Sequence, residues 1–162
     1  MVLQYDDILI SRTMSKAFAL ANFRLRYLIA GKDNVQFINK IRNPKNLSTF
    51  AQVAGCAALE DTQYMWNYVK EVHFGMVYFK EAMQRYVDKI FVHPSHGNFM
   101  LLEFNNYEEK VALLNYLAEH NIFVRDTTQV PMVRNCFSIT IGTTEQMSHV
   151  VDVINTYFSK AI

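Results

Sequence analysis

Ser11-Arg12-Thr13-Met14-Ser15-Lys16-Ala17-Phe18-Ala19-Leu20-Ala21-Asn22-Phe23-Arg24 lies between two short apolar runs, residues 8–11 (Ile-Leu-Ile-Ser) and 24–30 (Arg-Leu-Arg-Tyr-Leu-Ile-Ala). Runs of this length and composition are of strand type, and Gly31-Lys32-Asp33 closes the second. The stretch therefore reads as strand, functional loop with a helical turn, strand. Within the loop stand two hydroxyls, Thr13 and Ser15, the lysine Lys16 and, eight residues after it, Arg24.

Downstream, Val35, Phe37, Ile38 and Ile41 mark a short helix that the segment Asn43-Pro44-Lys45-Asn46 ends. Ser48 is placed to cap a second helix, Thr49 to Glu60, whose alanine-rich, widely apolar surface predicts burial. From Thr62 a longer pattern begins: Met65, Val69, Val72, Met76, Phe79, Met83 and Val87 recur every three or four residues, with no proline and only Gly75 as a weak point. One helix of that length can leave one domain and enter another.

The period then changes to two. Residues 89–94 and 98–104 are strand-like runs joined by Ser95-His96-Gly97, a turn-forming cluster. Asn106 with Glu109 is a capping-box pattern opening a helix through Val111, Leu114 and Leu117, ended by Asn121. Ile122 to Arg125 and Cys136 to Ile141 read as two more strands. Thr143 with Gln146 repeats the capping pattern before a last helix with an inner stripe of Met147, Val150, Val151, Ile154 and Phe158.

The fold class is α/β. Residues 86–162 form a small α+β domain, a sheet with helices on one face; residues 61–85 are a long inter-domain helix. Residues 1–60 hold two strands and two buried-looking helices that need neighbouring strands this chain does not supply.

With 51% hydrophobic residues among 162, the chain can bury a core. Sixteen basic and fifteen acidic side chains leave a net charge of +1 without long runs of either sign, which favours neither nucleic acid nor a membrane surface as partner. No apolar run reaches membrane-spanning length, and Met1 to Asp7 lack the pattern of a signal peptide. Cys56 and Cys136 lie in apolar stretches without CxxC spacing and read as reduced core residues of a cytoplasmic protein. Twelve Phe, nine Tyr and eight Met are a heavy load of large apolar side chains, which points to a partner surface or to a chain cut out of something larger.

The loop phrase resembles the SKAFxLAxxR segment of type I pyridoxal-phosphate aminotransferases, most closely the histidinol-phosphate branch. The phrases NPKNLSTFAQVAGCAALED, GNFMLLEF, IFVRD and CFSITIGT continue the resemblance in family order and spacing over essentially the whole chain. It implies the C-terminal part of the type I aminotransferase fold, with residues 1–60 a remnant of the cofactor-binding large domain. It also implies pyridoxal 5'-phosphate as cofactor, held as a Schiff base by Lys16, which then moves the proton at the substrate Cα. Thr13 and Ser15 would donate hydroxyls to the cofactor phosphate and Arg24 would pair with it. These residue types suit the task, since a dianionic phosphate needs hydroxyls, backbone donors and an arginine around it.

The implied reaction moves an amino group between a small anionic amine and a 2-oxo acid, in a homodimer. The implied substrate residues are Arg125, Ser138 and Asn98. Arg125 matches a family arginine near the substrate phosphate. Ser138 stands where the family has an arginine that grips a substrate carboxylate or phosphate, and it offers a hydroxyl without charge. Asn98 matches an asparagine beside the cleft, or is a residue opening a strand whose amide satisfies a local turn. Asn22 and Arg26 replace glycines often used for positive φ. The family's aspartate for the pyridine nitrogen, its stacking aromatic and its glycine-rich turn all precede the strand at Ile8; Asp6 and Asp7 read instead as a solvated acidic turn.

Decarboxylation of the threonine-phosphate type is the runner-up. A noncatalytic fragment serving as an oligomerisation or structural module is the reading from a different class. His93 and His96, three apart, lack a third ligand at motif spacing and read as exposed turn residues, so no metal site is expected. Tyr64, Trp66 and Tyr68 read as core or subunit contact.

Overall fold

The structure, a computed structural model, describes Tyr5 and residues 7–160. Residues 1–4 of the segment read for a leader, and Asp6, lie outside the described residues; Asp7 is exposed in a turn. The chain divides into two units, Met1–Val69 and Lys70–Ile162. Among the described residues no helix is long and apolar enough to cross a membrane.

In the first unit, β1 (Leu9–Thr13) and β2 (Arg26–Ala30) pair antiparallel, from Leu9 opposite Ala30 to Thr13 opposite Arg26. Between them the chain makes a single 3₁₀ turn, Ala21–Phe23. Helix α1 spans Lys32–Ile41. It starts three residues before the apolar pattern because the Gly31 carbonyl already accepts the Val35 N–H, and Asp33 in the first turn suits the helix dipole. Helix α2 spans Thr49–Glu60, and Ser48 caps it, its hydroxyl accepting the Ala51 N–H at 3.2 Å.

Met14, Leu25 and Ala51 are the buried centre of this unit, with Phe18, Leu20, Leu47 and Ala58 packed around them. A Cβ on Gly55 would come within 3.2 Å of Leu25 Cδ1, so α2 approaches the loop closely here. The predicted burial of α2 is otherwise not found: Phe50 is 83% exposed, Val53 64%, and Cys56, expected in a core, is exposed. The Ala51–Gly55 side of the helix packs on the loop, and its other apolar residues stay largely exposed.

Helix α3, Thr62–Met83, runs through the division between the units. It stops short of Val87 because the chain tightens into a 3₁₀ turn, Gln84–Tyr86, tied to the last helix: the Tyr86 hydroxyl donates to Asn155 Oδ1 at 2.8 Å. The second unit then lays down β3 (Ile90–Val92), β4 (Phe99–Phe104), α4 (Tyr107–Glu119), β5 (Arg125–Asp126), β6 (Cys136–Thr140) and α5 (Thr144–Lys160). The strands form one antiparallel sheet in the order β3-β4-β6-β5.

Alternation assigns its two faces. Met100, Leu102, Phe104, Phe137 and Ile139 point to a single core shared with Phe79 and Met83 of α3, Leu113 and Leu117 of α4, and Met147, Val151 and Ile154 of α5. The opposite face carries Phe91, Leu101, Glu103, Cys136, Ser138 and Arg125.

The predicted strand from Ile122 to Arg125 shrinks to Arg125–Asp126, because Ile122 finishes the preceding helix instead. The Asn121 N–H bonds the Ala118 carbonyl and the Ile122 N–H reaches back to that of Leu117, with Asn121 at φ 59°. That is a Schellman ending in which asparagine takes the left-handed position.

Candidate functional site

The predicted site residues fall into two groups, one in each unit. In the first, hydrogen bonds close the loop on itself: the Met14 N–H donates to the Leu25 carbonyl at 3.1 Å and the Leu20 N–H to the Met14 carbonyl at 3.1 Å. Ala19 and Arg24 both take positive φ, 56° and 55°. Left-handed backbone is thus used at these two positions and not at Asn22 or Arg26, where missing glycines raised the expectation of it. Burial of Met14 and Leu25 anchors the loop ends, and the polar residues between them stay on the surface.

The Thr13 hydroxyl accepts the Ser15 N–H at 3.1 Å, and the two hydroxyl oxygens stand 2.8 Å apart. Lys16 follows, exposed, opening a turn in which its carbonyl accepts the Ala19 N–H at 2.9 Å. Arg24 spends one N–H on the Ala21 carbonyl at 3.2 Å and lines a groove with Asn22, Phe23, Asn46, Ser48 and Phe50. Because Leu25 is bonded to Met14, closure returns Arg24 to the end of the loop where Thr13 and Ser15 lie. Arg26 lines a different groove with Arg42, Ser11 and Tyr27.

In the second unit Arg125 of β5 is the cross-strand partner of Ser138 of β6, and Leu101 of β4 is the next partner in the same row. Directly opposed residues share a sheet face, so Ser138 and Arg125 are side by side. Asn98 precedes β4; its carbonyl accepts the Ile141 N–H at 2.9 Å, so its backbone continues the β4–β6 ladder.

Periodicity could not reveal two further groups. Lys110 of α4 is fully buried, and its ammonium donates to Asp126 Oδ1 at 2.7 Å and to the Thr128 hydroxyl. Lys110 holds the Asp126 carboxyl below its ordinary range, with Thr128 helping and burial opposing. On the open sheet face, His93 Nε2 lies 2.8 Å from Glu103 Oε2, and Cys136, cross-strand partner of Glu103, is buried beside them. Burial, then the Glu103 carboxylate, pushes the Cys136 thiol up. The register that unites these residues depends on strand pairing, which no local spacing encodes.

The model of the family described as aminotransferase class I and II matches residues 2–154. This chain belongs to the class I and II aminotransferases. Among curated aminotransferases, a dihydroxyacetone phosphate transaminase of Campylobacter jejuni is 38% identical over 164 residues, covering 99% of this chain and 43% of that protein. A histidinol-phosphate aminotransferase of Colwellia psychrerythraea is 30% identical over 159 residues, covering 96% of this chain and 43% of that protein. Fold similarity extends to a histidinol-phosphate aminotransferase of Sinorhizobium meliloti solved in complex with pyridoxal-5'-phosphate, with a TM-score of 0.79 at 23% identity, covering 96% of this chain and 43% of the other. The chain spans less than half the length of these aminotransferases.

Proposed function

We propose that the chain carries the C-terminal part of a cytoplasmic pyridoxal-phosphate-dependent aminotransferase in which Lys16 is the cofactor lysine. Residues 1–60 belong to its cofactor-binding domain, 61–85 to a linking helix and 86–162 to a small domain. The observation that carries the assignment is the closed loop: two adjacent hydroxyls, an exposed amine and an arginine with most of its five donors unspent, with no carboxylate among them. That donor set suits a phosphate group. Thr13, Ser15 and Arg24 would bind the phosphate and Lys16 would hold the aldehyde end through Nζ; pyridoxal phosphate, when bound, would supply the electron sink that makes the carbon bearing the amino group acidic. Freed when the substrate amine takes its place, Lys16 Nζ would take the proton from that carbon and return it.

The substrate is proposed to be a small phosphorylated compound that exchanges its amino or oxo group with an amino acid and 2-oxo acid pair. Arg125 binds the phosphate and Ser138 contributes one hydroxyl. Asn98 is assigned to the rim of the same substrate site. The pairing of one cation with one hydroxyl favours an oxo substrate with a single anionic group, and the similarity to a dihydroxyacetone phosphate transaminase supports this over a doubly anionic substrate. A homodimer is the proposed assembly, supported by exposed apolar side chains such as Phe37, Ile41 and Phe50 on the first unit.

Adding pyridoxal phosphate to the purified chain tests the cofactor assignment. A visible absorption band that appears with the intact chain and is lost in Lys16→Ala is the expected result; no band in the intact chain would overturn the assignment and leave a noncatalytic module. Amino transfer to dihydroxyacetone phosphate, followed against transfer from histidinol phosphate and against carbon dioxide release from phosphorylated amino acids, separates the substrate readings.

A further inference from the structure

The open face of the four-stranded sheet brings together three side chains of metal-ligating type from three separate stretches of sequence. His93 leaves β3, Glu103 lies on β4 and Cys136 on β6, the neighbouring strands of the sheet order. The His93 N–H donates to the Leu101 carbonyl at 2.9 Å, which continues the β3–β4 ladder and fixes where the imidazole emerges. Edge-on contact with Phe91, centroids 4.8 Å apart, orients the ring further. One nitrogen, one carboxylate oxygen and one sulfur lie within 4.8 Å of one another.

We propose that His93, Glu103 and Cys136 form a site for a zinc-type divalent cation, with water as the fourth ligand. Mixed nitrogen, oxygen and sulfur donors select against calcium and magnesium, which take oxygen alone, and suit zinc. Zinc–donor lengths of about 2.0–2.3 Å put the ligands of one tetrahedral ion roughly 3.3–3.8 Å apart, so side-chain rotations of about 1 Å close the site. The pair His93–Glu103 is already close, at 2.8 Å. Cys136 is buried at 3% exposure, whereas the His93 and Glu103 side chains are 37% and 49% exposed, which gives the ion a way in and its water a place. On binding, the Cys136 thiol releases its proton to solvent and the sulfur–metal bond forms without change of oxidation state. The site depends on these three side chains alone and stands whether or not Lys16 binds a cofactor.

Cobalt(II) added to the metal-stripped chain reports directly on sulfur ligation through thiolate-to-cobalt absorption in the near ultraviolet. The expected result is a band that saturates at one ion per chain, is displaced by zinc(II), persists in Cys56→Ser and disappears in Cys136→Ser. His93→Gln and Glu103→Gln change exposed side chains and keep the fold. Each is expected to weaken zinc binding by at least about tenfold, the smallest loss usual even for outer-sphere partners. Absence of the band from the intact chain, its survival in Cys136→Ser, its loss in Cys56→Ser, or unchanged zinc affinity in both glutamine variants would overturn the site.

Discussion

In the proposed substrate site, the side chain at 138 sets how many cations stand beside a bound anion, since it is the cross-strand partner of Arg125. An arginine at 138 would put a second guanidinium beside Arg125, and a charged hydrogen bond to a substrate carboxylate is worth about 1.5–3 kcal/mol. Ser138→Arg is accordingly expected to raise kcat/KM for a substrate bearing both carboxylate and phosphate about tenfold or more over one bearing phosphate alone, read from competition between the two. An unchanged ratio would remove Ser138 from substrate selection. Behind this pair, Lys110 secures Asp126, the residue next to Arg125 in β5. Asp126→Ala leaves the Lys110 ammonium with the Thr128 hydroxyl and the Tyr107 ring, 4.7 Å away, and is expected to cost about 2–3 kcal/mol in urea unfolding, below the 3–5 kcal/mol for a fully buried pair because the carboxylate is half exposed. Since the folded Asp126 carboxyl is held low by Lys110, its contribution is complete above the unfolded value of about 3.9 and is lost as pH falls through the lower folded value. Thermal melts below about pH 4 should therefore fall less steeply in Asp126→Asn than in the intact chain. The candidate loop residues were legible because they are consecutive, as a phrase around Lys16. Lys110 with Asp126, and His93 with Glu103 and Cys136, were not, since helix packing and strand register bring them together.

At the scale of elements, boundaries set by local chemistry were readable and those set by tertiary ties were not. Ser48 at α2, Asn106 at α4 and Thr143 with Gln146 at α5 all cap where their sequence patterns place them; in the last the Thr143 N–H donates to Gln146 Oε1 and the Thr143 hydroxyl accepts the Gln146 N–H. Glu71 adds a tie that sequence spacing cannot show, accepting the Thr144 N–H from 73 residues away at 2.8 Å. The end of α4 is the instructive failure. Asn121 marks the stop in the sequence, yet Ile122 and Val124 alternate like a strand, and the Schellman bonds claim Ile122 for the helix. Left-handed backbone costs an ordinary L residue about 1–2 kcal/mol. Asn121→Gly should then leave stability unchanged or slightly higher, and Asn121→Val should lower it by about that 1–2 kcal/mol in chemical denaturation. Equal stability of the two variants would show that the left-handed cap contributes nothing.

Across the whole chain, apolar surface is distributed unequally between the units. Among the described residues the second encloses seventeen buried hydrophobic residues in one cluster fed by α3, three strands and two helices, whereas the buried cluster of the first is Met14, Leu25 and Ala51. A two-stranded sheet is marginal in water, and β2 leaves Tyr27, Leu28 and Ile29 between 37% and 45% exposed. Heavy aromatic content was visible in the composition, but the side it would be left uncovered on was not, because burial depends on neighbours. Opening free energies should follow the same division. In hydrogen exchange on the intact chain, the amides of β4, β6 and α5 are expected to exchange slowest, with the opening energy of the second unit as a whole. Those of β1 and β2 should exchange several orders of magnitude faster, because opening them exposes little additional apolar surface. Running the exchange at two protein concentrations adds a second discrimination. If copies of the chain cover the first unit, its protection rises with concentration while that of the second stays level. Equal, concentration-independent protection in both units would contradict the division, since three buried residues cannot hold a unit as firmly as seventeen.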